Sequence, residues 1–275
     1  MRELYAYREV LMNLVRKELK VKYTASVLGA VWSLLNPVVF LAVFSFVANV
    51  LGSGILDYPV FLMAGLLSWN LFSVSLSSGA QSVIANANLV KKVYFPREIL
   101  PLATVGVALV DFVLQSLVFL AFLVVFGYGF SLQTLWLYPL AFAALLLFTV
   151  SVTFLVSAMN VRYRDVQHLI GLTLLVWFWM TPIVYAGGVV QEKLSSHSVA
   201  GVSLWHVFLA NPVAWIVTGF QRSLYRSSDA AEILPFDSAG HLALGLAVAI
   251  VASAVLLLIT WRIFFSMSGD FAEDL

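Results

Sequence analysis

The chain has 275 residues, 62% of them hydrophobic and 11% charged, with a mean hydropathy of +0.98 and a net charge of +1. Soluble domains hold about 45–50% apolar and about 25% charged residues, so this chain could not cover itself with a hydrated surface. Its apolar runs exceed the roughly 20 residues needed to cross a hydrocarbon core, which leaves membrane insertion as the physical account. With no cysteine, disulfides and thiolate metal sites are excluded.

Residues 1–23 carry Arg2, Arg8, Arg16, Lys17, Lys20 and Lys22 without the apolar core of a signal peptide, so the first span is expected to direct insertion. Residues 4–21 repeat with a helical period. Leu4, Tyr7, Val10, Leu11, Leu14, Val15 and Val21 fall on one half of a wheel, and Glu9, Arg16, Lys17 and Lys20 on the other. The pattern predicts a basic amphipathic helix in the membrane interface, within a cytoplasmic segment 1–26. A cytosolic helix packed on a partner is the second reading.

Six spans follow, near 27–51, 59–79, 99–126, 132–159, 167–186 and 241–265, forming one transmembrane domain over 27–265 with a tail at 266–275. Pro37 and Pro182 are tolerable inside spans because neighbouring helices satisfy the carbonyls a proline frees. Residues 204–221 are apolar, but Asn211-Pro212 divides them into halves too short to span, with His206 in the first and Arg222 directly after. They read as a broken, re-entrant hairpin. Twelve of the fifteen lysines and arginines then fall on the side of the N-terminus; Lys193, Arg222 and Arg226 are the other three. The positive-inside rule places both termini in the cytoplasm. The fold class is therefore all-α: a polytopic membrane protein with an N-terminal interface helix and an external hairpin between spans five and six.

Catalytic signatures are missing. There is no phosphate-binding G-x-x-x-x-G-K-[ST], no H-E-x-x-H and no G-x-S-x-G, and the four histidines lack partners at metal-ligand spacing. No catalytic residue, metal site, nucleic-acid partner or resident cofactor is expected.

The loop between spans two and three, NANLVKKVYFPREILP (86–101), mixes Leu89, Val90, Val93, Tyr94 and Phe95 with Lys91, Lys92, Arg97 and Glu98. Apolar anchors among charges suit a helix docked on a soluble partner. They equally suit a helix lying on lipid headgroups. Asp111, within VALVDFVLQS, is the one acid in mid-span, and Gln115 lies a turn later on the same face. Facing lipid would cost roughly 2.5–3.5 kcal/mol, so Asp111 is expected to face protein or water. An interhelical hydrogen bond is favoured over a proton relay, which needs a second titratable group.

Three stretches, KELKVKYTASVLGAVWSLLNP (17–37), NANLVKKVYFPREILP (86–101) and NVRYRDVQHL…WFWMTPIVY (160–185), resemble the signatures of the polysaccharide-export permeases. These are the membrane subunits of type-2 ABC exporters of O-antigen, capsule, teichoic acid and galactan chains. The resemblance implies a homodimer of six-span subunits in the bilayer of the cytoplasmic membrane. Each subunit would rest on a separate cytoplasmic ATPase that binds Mg-ATP, and a polyprenyl-linked polysaccharide would be the cargo. Residues 86–97 resemble the coupling helix. Residues 2–23, with Arg16, Lys17, Lys20, Lys22 and Tyr23, resemble the helix framing the cytoplasmic entrance. Residues 189–226 resemble the external gate helices. Thr24-Ala25 departs from the basic or larger polar residues frequent in relatives.

A path for such a polymer favours aromatic faces, which stack on sugar rings without a directional grip. Candidates are Phe40, Phe44, Trp69, Phe72, Trp177, Phe178, Trp179 and Tyr185; the competing roles are interfacial belts and lipid contact. A secondary-active flippase of lipid-linked glycans is the alternative function. It would need midplane charges and an internal repeat, of which there are one acid and none evident. A membrane-bound transferase would need clustered acids for a metal.

Overall fold

The computed structural model describes residues 7–24, 31–51, 55–93, 95–125, 127–129, 132–199, 202–225, 234, 238–271 and 275. Arg2, Leu4, Ala25, Tyr94 and Arg226, with residues 27–30 of the first expected span, lie outside them.

In chain order the helices are α1 (Arg8–Thr24), α2 (Val31–Leu51), α3 (Tyr58–Ala85), α4 (Ala87–Lys92), α5 (Ile99–Val125), α6 (Leu132–Leu135), α7 (Leu137–Arg162) and α8 (Val166–Trp179). Then come α9 (Gly187–Ser195), a two-residue antiparallel ladder of β1 (Ser198–Val199) with β2 (Val202–Ser203), α10 (Leu204–Leu209), α11 (Pro212–Leu224) and α12 (Ala239–Ser268). Apart from that ladder the described fold is helical. Four helices are long and apolar enough to cross a membrane: α3, α5, α7 with the turn before it (Gln133–Arg162), and α12. Val38–Val47 within α2, and α8, are shorter apolar helices.

Two boundaries differ from expectation for identifiable reasons. The helix of the fifth span stops at Trp179 rather than near 186. Pro182 has no amide to offer Phe178, and its ring restricts Thr181, so the backbone turns through residues 180–185. The segment 204–221 is divided where Asn211-Pro212 predicts. Asn211 caps α11, its Oδ1 accepting from the Val213 amide at 3.0 Å, and Pro212 occupies the first turn, where no amide is needed.

The innermost helix is α3, which packs against α5, α7, α8, α11 and α2. Its contact with α7 depends on small residues, as helix pairs in lipid require. A Cβ added at Gly79 would stand 2.3 Å from Thr153 Cγ2. Nearby, Ser82 and Ser157 share a hydrogen bond of 3.0 Å, and Asn160 donates to the Ala80 carbonyl at 2.8 Å. The main core gathers around Phe61, Phe72, Leu145, Val217 and Phe220. A second core at the other end holds Val15 of α1, Val90, Phe95, Phe154, Phe264 and Phe271.

Candidate functional site

Three constellations carry the residues singled out by sequence. The first is the turn after α3. Asn86 breaks the helix, its Nδ2 donating back to the Ser82 carbonyl at 2.9 Å, and α4 starts anew. Val90 and Phe95, expected among the anchors for a partner, are instead buried in the second core; Leu89 is half-buried. Lys91, Lys92 and Val93 face outward. Arg97 donates to the Gly269 carbonyl at 3.5 Å and lies 6.0 Å over the Phe271 ring. Glu98 is buried and accepts from Trp261 Nε1 at 3.5 Å. Nothing in the local sequence pointed to Trp261 or Phe271, because both come from the far end of the chain. Between α4 and the end of α12 lies a cleft of about 530 Å³.

The second joins α1 to α5. Lys22 Nζ meets Asp111 Oδ2 at 2.5 Å, and the Tyr23 hydroxyl donates to Asp111 Oδ1. Lys22 also sits 5.5 Å over the Tyr23 ring and belongs to the last turn of α1, where the helix dipole favours a cation. Lower on the pair, Val15 fits against Gly106, where an added Cβ would be 2.8 Å from Val15 Cγ2. Both contacts advance in the same sense, so α1 runs beside α5 instead of crossing it. Asp111, the thirteenth residue of α5, stands about 18 Å along the helix from its start. Gln115 turns the other way, accepting from Asn70 Nδ2 at 3.2 Å. Arg16, Lys17 and Lys20 are exposed; Lys17 reaches Glu18 at 3.3 Å and Asn86 at 3.4 Å.

The third is aromatic. Phe40 and Phe44 stack at 5.8 Å, and both approach Phe178, at 6.3 and 6.4 Å. Phe178 meets Trp69 edge-on at 5.5 Å; Trp69 contacts Phe72 at 5.8 Å, and Phe72 contacts Trp177 at 5.2 Å. Trp179 joins through Phe44 and Phe178. The eighth candidate, Tyr185, binds the Trp179 carbonyl through its hydroxyl at 2.8 Å. Phe148 of α7 completes the strip, stacking on Phe72 at 5.6 Å; in its apolar run nothing distinguished it. Trp69, Phe72 and Phe178 are buried, Phe40 and Phe44 half-buried, and Trp179 exposed.

Where the strip ends, Asn211 ties the corner together. Its Oδ1 also accepts from Trp177 Nε1 at 2.8 Å, and its Nδ2 reaches Thr181 Oγ1 at 3.2 Å and the Met180 carbonyl at 3.3 Å. Gln221 donates to the Pro182 carbonyl at 2.9 Å, and Tyr58 to that of Val184 at 2.9 Å. Two carbonyls of the 180–185 turn, those of Pro182 and Val184, are thus answered from α11 and α3. Among the described residues no group of three His, Asp or Glu side chains stands close enough to hold a metal ion.

Four helices long and apolar enough to cross a membrane, joined by a broken-helix corner and a strip of stacked rings, mark an integral membrane protein. Residues 9–225 match the ABC-2 type transporter family, and the chain belongs to it. Over its whole length it is 33% identical to the O-antigen export system permease protein RfbA of Myxococcus xanthus, covering 98% of that protein. It is 35% and 36% identical over 188 residues to two proteins of the same name from Klebsiella pneumoniae, matching 68% of this chain and 73% of each of theirs.

Proposed function

We propose that this chain is the permease subunit of an ATP-driven exporter carrying a lipid-linked cell-envelope polysaccharide across the cytoplasmic membrane. The observation that carries the reading is the end-to-end similarity to an O-antigen export permease. In this reading two copies form the pathway, and a separate ATPase binds Mg-ATP and docks at α4. The six spans are α2, α3, α5, α7, α8 and α12, with both termini cytoplasmic and α9 to α11 external. The polymer slides over the edge formed by Phe40, Phe44 and Trp179, with the buried rings as its floor.

Deleting the gene from a polysaccharide-producing host is expected to abolish surface polymer while lipid-linked polymer accumulates inside, with the wild-type gene restoring export. Unchanged surface polymer would sink the proposal. Topology is testable separately, because the chain has no cysteine of its own. A cysteine at the exposed Val207 should react with an impermeant reagent added outside intact cells, and one at Lys92 should react only after lysis. The reverse pattern would overturn the orientation.

A further inference from the structure

We propose that the groove between α11 and the first half of α12 seats one anionic phospholipid of the bilayer, with an acyl chain along the groove and the lipid phosphate on Arg222. The groove holds about 460 Å³, with Leu209, Pro212 and Trp215 on one wall and Leu244, Val248 and Ala252 on the other. Its floor is fixed. An added Cβ at Gly245 would stand 2.1 Å from the Trp215 ring, so the indole lies directly against the backbone of α12, and Trp215 Nε1 donates to the Leu209 carbonyl at 2.8 Å. Leu244 and Val248 are 65% and 62% exposed, and Val251 and Val255 extend the exposed apolar surface down α12. A groove set in such a surface opens on hydrocarbon, and a lipid tail matches its walls in polarity. From His241 to Ala252 the groove follows about 16 Å of helix. That is roughly half of a hydrocarbon core about 30 Å thick, the depth of one leaflet.

The charge at one end decides which lipid. Phe220 packs on Tyr138 and Gly219 against Ala141, so α11 climbs towards the start of α7. In turn α7 and α12 run parallel, joined from Ser151 to Ser253 and from Phe154 to Phe264. The helix α11 therefore ends level with the start of α12, where His241 closes the groove edge-on to Trp215 at 5.9 Å. Arg222, seven residues after Trp215, returns to the same face of α11 about 10 Å farther on, beyond the apolar walls. It is half-buried, and its Nη1 is buried with no hydrogen-bond partner among the described residues. A guanidinium at the edge of hydrocarbon without a counter-charge is costly, and a phosphate answers it with two parallel hydrogen bonds. An apolar chain below and an anion above are the two halves of an acidic phospholipid.

The test counts lipids on the intact protein. Full-length permease is purified in detergent, incubated with equal amounts of phosphatidylglycerol and phosphatidylcholine, and weighed by native mass spectrometry. The wild type should keep one phosphatidylglycerol per subunit in preference to phosphatidylcholine by about tenfold or more, the range of a charged hydrogen bond. Arg222→Gln should erase that preference, and Arg222→Lys should keep part of it. Ala252→Trp, which fills the groove from an exposed position, should lower retention of both lipids there. Lys91→Gln with Lys92→Gln, exposed at the other end of the bundle, should leave the count unchanged. If the glutamine variant at 222 aggregates, Ala252→Trp decides alone. Unchanged preference in Arg222→Gln, unchanged retention in Ala252→Trp, or loss of the lipid in the lysine pair overturns the inference. Equal retention of the two lipids by the wild type reduces the groove to ordinary annular contact and overturns it too. Retention of a polyprenyl phosphate through Arg222, with phosphatidylglycerol released, makes the occupant a carrier lipid, and the inference fails. Lipid retention requires no ATPase, so each of these failures leaves the exporter reading intact.

Discussion

Asn211→Leu is expected to destabilise the protein by about 2–4 kcal/mol, lowering its melting temperature in detergent by roughly 5–12 °C. The side chain takes part in four contacts at once: it caps α11 and binds Trp177 Nε1, Thr181 Oγ1 and the Met180 carbonyl. Losing the cap costs about 1 kcal/mol. The orphaned indole donor adds about 1–3 kcal/mol. Hydrogen bonds in membrane proteins average only about 0.6 kcal/mol each, which holds the sum to the lower part of that range. Asn211→Asp keeps both accepted bonds and loses both donated ones, so it should fall between the leucine variant and the wild type. A leucine variant melting within about 1 °C of the wild type would show that α11 and the 180–185 turn do not depend on this residue.

The second large effect is local. Removing either partner of the Lys22–Asp111 pair should release α1 from α5, at a cost of about 1–3 kcal/mol. A fully buried pair would cost more, but the Lys22 side chain is 38% exposed and water screens part of the attraction. The two single variants should differ. Lys22→Met leaves a carboxylate that is 6% exposed with, among the described residues, the Tyr23 hydroxyl as its remaining donor, whereas Asp111→Asn leaves an ammonium that can turn to solvent. Lys22→Met should therefore be the more damaging, and Lys22→Met with Asp111→Leu should recover much of the loss, because no charge is then stranded. The readout is amide exchange over residues 8–24. Equal protection in wild type and Lys22→Met would remove the pair from any anchoring role.

Most of the helical layout was legible because it depends on local quantities. Apolar run length locates the membrane-capable helices, and Asn211-Pro212 announces the break before α11 through a capping side chain and a missing amide. The aromatic candidates on α2, α3 and α8 do meet, because α2 and α8 both pack against α3. The direction in which side chains point was less legible. Leu89, Val90, Val93 and Phe95 look alike as apolar residues among charges, yet Val90 and Phe95 turn inward and Val93 turns out. That choice is made by Phe264 and Phe271, nearly two hundred residues away, whose presence in the same core no local pattern reveals.

Asp111 shows the same division at one residue. The sequence by itself determined that this acid must face protein or water, because the cost of an ionised group in hydrocarbon depends only on its depth in a long apolar helix. It likewise determined the membrane-protein class, the location of the long spans and the break at Asn211, all consequences of chemistry within a few residues. Which group answers Asp111 was decided by tertiary structure alone. The partner is Lys22, 89 positions earlier, brought there because α1 fits against the gap at Gly106 and runs beside α5. A pairing of that kind depends on the shapes of two helices at once, and no window along a single chain contains both.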